Sequence, residues 1–319
     1  FESELAEFPE SYHQALIQLH NKHIEWRFEA VKTGKDWEKF ITAQALVDKY
    51  GGSKSLTSSK YTNWHLPGGK SQQGGWYPVK KEVVAYFVDP RNFISSEKDI
   101  FQFLKLDGYD ANSQTLERVK KILENTKLLT FADSFIKAAI EADVNVYYLA
   151  SKCKLETGGG TCSLFKGTVE DMTVTTEKGK KITFENKGYY NAYNIRAFAT
   201  KEDLNVYKLS QRDSINKNGA QHAKKEKWTT QEEAIIGGAQ WCKKEYIGIG
   251  QDTMYANKFD YKSESPWHQY VQNIEAAYHE AVKYHTAYNH ISKLDEKLIF
   301  KIPVYDNMLA EPVKLLNKK

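Results

Sequence analysis

Residues 146–162 read VYYLASKCKLETGGGTC. Asn145 stands just before them, and its side-chain oxygen is suited to accept a free N–H of a first helical turn. The run through Thr157 contains neither glycine nor proline and predicts a helix. Gly158, Gly159 and Gly160 must end it, because residues without a Cβ favour turns over helix interiors. Leu149, Cys153 and Glu156 are spaced four and three apart and so share one face. Glu156 therefore closes an apolar stripe and sits in the last turn, where the helix dipole opposes negative charge. Partial burial and that dipole both favour the neutral acid. A proton held near neutral pH is what a general acid needs to cleave a glycosidic bond. Three glycines beyond it leave room for a bulky polymer. The plainer alternative is a surface glutamate near a helix end.

Working outward, Thr130 and Asp133 have capping-box spacing for the helix TFADSFIKAAIEA. MTVTTEKGKKITFEN (172–186) alternates around Lys178-Gly179 and predicts a β-hairpin. Thr230 and Glu233 predict a capped helix QEEAIIGGAQWCKKEY, with Ile235, Ala239, Cys242 and Tyr246 on one stripe. Towards the N-terminus, Ser11 is a candidate cap for a helix burying Tyr12, Leu16 and Leu19. Asp36 is one for WEKFITAQALVDKY, with Gly51-Gly52 as its stop. Short helices are expected at 96–104 and 113–125, the second with Leu116, Val119 and Leu123 on one side. Gly51–Pro78 is a long polar loop whose Tyr61, Trp64, Trp76 and Tyr77 are either cleft wall or structural anchors. Pro266 is expected to open a helix carrying Tyr270, Ile274 and Tyr278. KIPVYDNMLAEPVKLLNKK reads as a strand or packed tail. The fold class is mainly α with a small β element.

The 319 residues suffice for one large or two modest domains, with 41% hydrophobic and 27% charged residues in an ordinary globular balance. Tyr, Phe and Trp number 20, 15 and 7, which suits sugar-binding clefts, cores and interfaces alike. The net charge of +4 comes mostly from lysines with no arginine cluster, which points away from nucleic acid and mildly towards an anionic polymer. Three cysteines (Cys153, Cys162 and Cys242) make no disulfide framework and no paired metal motif. Cys153 and Cys162 flank Glu156, and a buried free Cys153 is expected over a bridge. His279 and His285 lack a carboxylate-rich ligand set, no nucleophile elbow occurs, and no apolar run is long enough to span a membrane.

Several segments in order resemble one family. YYLASKCKLETGGGTC is similar to the acid-bearing helix of bacterial peptidoglycan N-acetylglucosaminidases, glycoside hydrolase family 73. Tyr189-Tyr190-Asn191-Ala192-Tyr193-Asn194-Ile195-Arg196-Ala197 resembles that family's Tyr-Tyr-Asn-Phe-Phe-Gly-Ile-Gly-Ala run. WTTQEEAIIGGAQWCKKEYIGIGQDTMYANKF resembles its Trp-Thr-Thr, Gly-Gly-Ala and Gly-Gln-Asp-Thr segment, and His268-Gln269-Tyr270 also fits. WRFEAVKTGKDWEKF and VDPRNFISSEKDIFQF resemble stretches preceding the core of clostridial and other Gram-positive autolysins. The likeness runs from about Trp26 to Tyr278.

The resemblance implies a lysozyme-like fold: a helical body with a small β-hairpin lobe forming a substrate cleft. It implies an N-terminal helical region at 1–128, a glucosaminidase core at 129–300 and a tail at 301–319. It also implies hydrolysis of the β-1,4 bond between N-acetylglucosamine and N-acetylmuramic acid, by a secreted, monomeric cell-wall autolysin. Peptidoglycan glycan strands would be the partner, with no metal or organic cofactor, no nucleic acid and no membrane. Glu156 aligns with the general acid, and Tyr190 with a second catalytic position. Asn191, Tyr189, Arg196, Gln251, Trp64 and Trp76 are the substrate-binding candidates. The candidates for a second carboxylate are Glu185 and Asp171, near the hairpin base, and attack by the substrate's own N-acetyl group, which needs none, stays open. Asn194 and Arg196 replace both family glycines, so any left-handed backbone there must be borne by residues with side chains. Arg196 is a candidate partner for a substrate carboxylate. The rival readings are a lytic transglycosylase on the same scaffold and a non-catalytic peptidoglycan-binding module.

Overall fold

The Asn145 side chain accepts the N–H groups of Tyr147 at 2.9 Å and Tyr148 at 3.3 Å, and the helix it caps runs Val146–Glu156. The structure is a computed structural model describing residues 1–49, 51–72 and 75–315. Two compact units emerge, one of residues 1–106 with the stretch from 246 onward, the other of residues 107–245. These bounds differ from divisions at 128 and 300.

The second unit is built around Val146–Glu156. Val146, Tyr147, Tyr148, Leu149, Ala150, Lys152 and Cys153 are all buried, so this helix is an interior element rather than one with a single apolar stripe. Leu116–Leu123 and Ala132–Ala142 pack against it, and Gln231–Glu245 packs on Ala132–Ala142. Ala138, Ala139 and Ala142 of the one helix and Ala234, Gly238 and Ala239 of the other are all buried. Small side chains let the two backbones approach. The Tyr193 ring fills the space beside Gly238, where a Cβ would lie 2.4 Å from it. The expected hairpin forms, Met172–Thr175 pairing antiparallel with Lys181–Phe184.

The first unit joins the two ends of the chain. Arg27–Asp36 pairs in parallel with Ile299–Asp306, with Phe28 opposite Phe300 and Ala30 opposite Ile302. The expected C-terminal strand is thus present, but its partner strand was not foreseen. Trp26, Phe28, Phe101 and Phe300 form a buried aromatic cluster beside it.

Several local expectations need correction. Ser11 lies inside its helix: the chain enters at Pro9, whose ψ of 150° suits the capping position, and the helix runs Glu10–Lys22. Tyr12, Leu16 and Leu19 are nonetheless buried. Asp36 does cap Trp37–Ala45, but that helix stops well before Gly51, because Val47 turns out to pair with Ser53. Thr130 caps nothing. It sits in the tight turn Lys127–Phe131, capped by Thr126, and Ala132–Ala142 continues directly from that turn. Thr230 accepts the Glu233 N–H at 3.1 Å as expected, while the Glu233 carboxylate reaches one residue further back, to Thr229. Pro266 opens no helix. Leu56 N–H donates to Gln272 O and Ile274 N–H to Leu56 O, so strand-like pairing outcompetes helix there, and the helix begins at Ala276. Tyr50, residues 73–74 and the last four residues of the expected tail lie outside the described residues.

Candidate active site

Glu156 ends its helix with its side chain 22% exposed, while Lys152, one turn earlier, is 2% exposed and brings its Nζ to 3.7 Å from Glu156 Oε1. Asn194 Nδ2 donates to the other carboxylate oxygen at 3.1 Å and to the Glu156 backbone carbonyl at 2.6 Å. A cation and an amide donor thus attend its two oxygens. Beyond it the three glycines take φ of +58°, +69° and +86°, left-handed backbone that side chains rarely tolerate. Thr157 Oγ1 ties this turn, donating to Cys153 O at 2.6 Å and accepting from Gly160 N at 2.8 Å.

The segment holding Asn194 is organised by Asn191, which is fully buried. Its Nδ2 donates to Ile195 O at 2.8 Å and Gly219 O at 3.1 Å, and its Oδ1 accepts from Ile195 N at 3.0 Å and Tyr193 N at 3.3 Å. Both ends of the amide are thus committed to the backbone, which corrects its assignment as a substrate-binding residue. Its work is to fold the loop. Tyr193 anchors the same loop, donating its hydroxyl to Ile235 O at 3.2 Å. Asn194 and Arg196 both keep positive φ, +51° and +56°, where the resembling run has glycine.

Tyr190 is half-buried, with its ring set so closely over Gly167 that a Cβ there would lie 2.7 Å away. Its N–H donates to Trp228 O at 3.0 Å, and its hydroxyl has no protein hydrogen bond among the described residues. Arg196 is exposed, its guanidinium 6.0 Å from the centroid of the Trp241 ring, which His222 meets edge-on. Tyr189 is half-buried, with Lys224 Nζ 5.6 Å from its ring centroid.

The two carboxylates at the hairpin base have other engagements. Asp171 Oδ1 accepts from Asn186 N at 2.6 Å and Lys187 N at 2.9 Å, and those backbone bonds hold its carboxyl below the usual range. Glu185 is exposed and pairs with Lys224 at 2.6 Å. Among the described residues no hydrogen bond or ion pair joins either to Glu156.

Three candidates belong to the first unit. Trp64 is 6% exposed, stacked on Tyr61 and edge-on to Phe87, so it is a structural anchor without a free face for a sugar. Trp76 is half-buried in a short strand paired with Ser58. Gln251 is fully buried, its amide donating to Asp260 at 2.7 Å and to His268 O at 2.9 Å, which leaves it a scaffold role instead of substrate contact. The cysteines are free, and burial pushes the Cys153 and Cys242 thiols up, away from nucleophile character. No group of metal-ligating side chains occurs among the described residues.

Sequence reading missed two members of the constellation. Lys152 was visible in principle, four residues before Glu156 and hence on its face. Asn194 was seen only as a replacement for glycine, since nothing local signals that it reaches a residue 38 positions away.

No protein-family model matches the chain. Over 236 residues it is 34% identical to the beta-N-acetylglucosaminidase of Bacillus subtilis (strain 168), an alignment covering 72% of this chain and 23% of that protein. It is 28% identical to the bifunctional autolysin of Staphylococcus aureus (strain NCTC 8325 / PS 47) over 233 residues, 73% of this chain and 17% of that one. The crystal structure of S. aureus glucosaminidase B superposes with a TM-score of 0.57 at 26% identity, covering 88% of this chain and 94% of that chain. These similarities support a place among the peptidoglycan N-acetylglucosaminidases of glycoside hydrolase family 73. The chain's fold is the mainly α, lysozyme-like fold of those glucosaminidase domains. The chain spans less than a quarter of the length of these two curated relatives.

Proposed function

We propose that this chain hydrolyses peptidoglycan at the β-1,4 bond from N-acetylglucosamine to N-acetylmuramic acid, with Glu156 as general acid. The observation that carries the reading is the placement of Glu156: a partly exposed carboxyl at the end of a buried helix, beside a left-handed glycine turn, with its geometry set by Asn194 and Lys152. In the reaction the Glu156 proton passes to the glycosidic oxygen as the bond from C1 to that oxygen breaks, its electron pair staying with the muramic acid hydroxyl. Water adds its oxygen to C1, and its proton restores the acid. Tyr190, with a hydroxyl uncommitted to protein, holds sugar or water. Arg196 and Trp241 offer a cation and a ring face to the acidic, sugar-rich strand. The setting we assign is the bacterial cell wall, with a secreted, monomeric enzyme.

The test is a digest of purified peptidoglycan by the chain and by Glu156→Gln, reduced with borohydride and read by mass spectrometry. Reduced N-acetylglucosamine ends, absent with the variant, are expected. Reduced muramic ends, anhydro ends or no cleavage would each overturn the reading.

A further inference from the structure

We infer that Asn194 is a positioning residue that selects which oxygen of Glu156 carries the transferable proton; this rests on Glu156 being the acid. The amide of Asn194 faces two acceptors, the Glu156 carbonyl at 2.6 Å and carboxylate Oε2 at 3.1 Å. Only its NH₂ end satisfies both, so its orientation is fixed without reference to the rest of the network. The carbonyl is one of the unpaired acceptors at a helix C-terminus. Anchored there, the amide always presents a donor to Oε2. A protonated Oε2 would be the poorer acceptor of this bond, so the bond favours the proton on Oε1.

Oε1 meets Lys152 Nζ at 3.7 Å, an ion-pair distance longer than a hydrogen bond, so Lys152 engages Oε1 less directly than Asn194 engages Oε2, and an ammonium cannot accept its proton. The Oε1 proton is therefore left for a substrate oxygen. As it departs, negative charge develops on the carboxylate and the Asn194 bond becomes charge-assisted, which strengthens it. An interaction that strengthens along the reaction lowers the barrier instead of merely holding the ground state.

The backbone supports the same assignment. Asn194 holds φ of +51°, where glycine is the unstrained choice and asparagine the best tolerated alternative. Glycine would satisfy the turn yet supply no amide. The position thus accepts a backbone penalty and gains a side chain aimed at the acid.

The experiment compares the full chain with Asn194→Gly and Asn194→Asp on two substrates. One is peptidoglycan, whose sugar leaving group needs protonation. The other is a synthetic disaccharide with dinitrophenolate on N-acetylglucosamine C1, a leaving group that needs none. On peptidoglycan both variants are expected to lose about tenfold to a hundredfold in kcat, the worth of one hydrogen bond to a charged group, with KM held. On the activated glycoside the loss should stay within about threefold, and the Asn194→Gly melting temperature should hold or rise. Peptidoglycan rates within about twofold of the parent chain, equal losses on both substrates, or a lowered melting temperature for Asn194→Gly would each overturn the inference. Glu156→Gln, run alongside, separates the two readings. If it too loses equally on both substrates, the assignment of Glu156 as acid has failed, not merely that of Asn194.

Discussion

Asn194 and Arg196 occupy left-handed backbone at φ of +51° and +56° on either side of the buried Ile195. For arginine this conformation costs about 1–2 kcal/mol, so Arg196→Gly is expected to stabilise the chain by roughly 1 kcal/mol in denaturant titration. The same variant should raise KM on peptidoglycan, because the exposed guanidinium over Trp241 is lost. An unchanged KM would remove Arg196 from the substrate contacts.

Asn191 makes four hydrogen bonds to the loop and to Gly219. Asn191→Ala leaves buried backbone donors and acceptors unpaired, which is expected to cost about 2–4 kcal/mol. Urea unfolding measures this, and cleavage should fall as Asn194 drifts from Glu156. A stable variant with a selective rise in KM would restore Asn191 to the substrate-binding set.

The Tyr190 ring and the Gly167 backbone cannot both keep their places once Gly167 gains a methyl group. Gly167→Ala is therefore predicted to lower kcat much as Tyr190→Ala does, although it deletes nothing from the tyrosine. Tyr190→Phe isolates the hydroxyl. If that hydroxyl holds water or sugar, steady-state kinetics should show about a tenfold loss or more for the phenylalanine variant alone.

In the first unit, burial raises the Glu97 carboxyl but hydrogen bonds from Lys22, His285 and His23 outweigh it and hold it at about 2, below its ordinary 4.5. The unfolded chain takes up this proton near 4.5 and the folded chain only near 2, so the stabilisation is present above 4.5 and is lost as pH falls through that window. Thermal melts of the parent chain and Glu97→Gln across this range should show a shallower acid decline for the variant, and parallel curves would contradict it.

The fold's elements were legible wherever local signals agreed, as at the helix starts Asn145 and Asp36 and the Lys178-Gly179 hairpin. They misled where distant pairing won. Ile274 lies on a helical stripe by spacing, yet its N–H answers the carbonyl of Leu56. Arg27–Asp36 was missed because its mixed burial leaves no clean alternation, and no local signal names a partner encoded about 270 positions later. At the candidate site, the place of Glu156 in the last helical turn before the glycines was readable, whereas residue type alone could not tell the buried Asn191, bonded to backbone, from Asn194, whose amide meets Glu156. Only the direction of each amide separates scaffold from chemistry.

The parallel pairing of Arg27–Asp36 with Ile299–Asp306 sets an order of assembly on the ribosome. Residues 107–245 form a continuous unit that can complete its contacts while later sequence is still being translated. The other unit cannot, because its first strand must wait for a partner encoded some 270 positions later, as the pairing of Arg27 with Ile299 requires. The chain therefore carries its N-terminal third unfinished through most of its synthesis, and nascent chains halted before Ile299 should show a folded glutamate site and a protease-sensitive N-terminus.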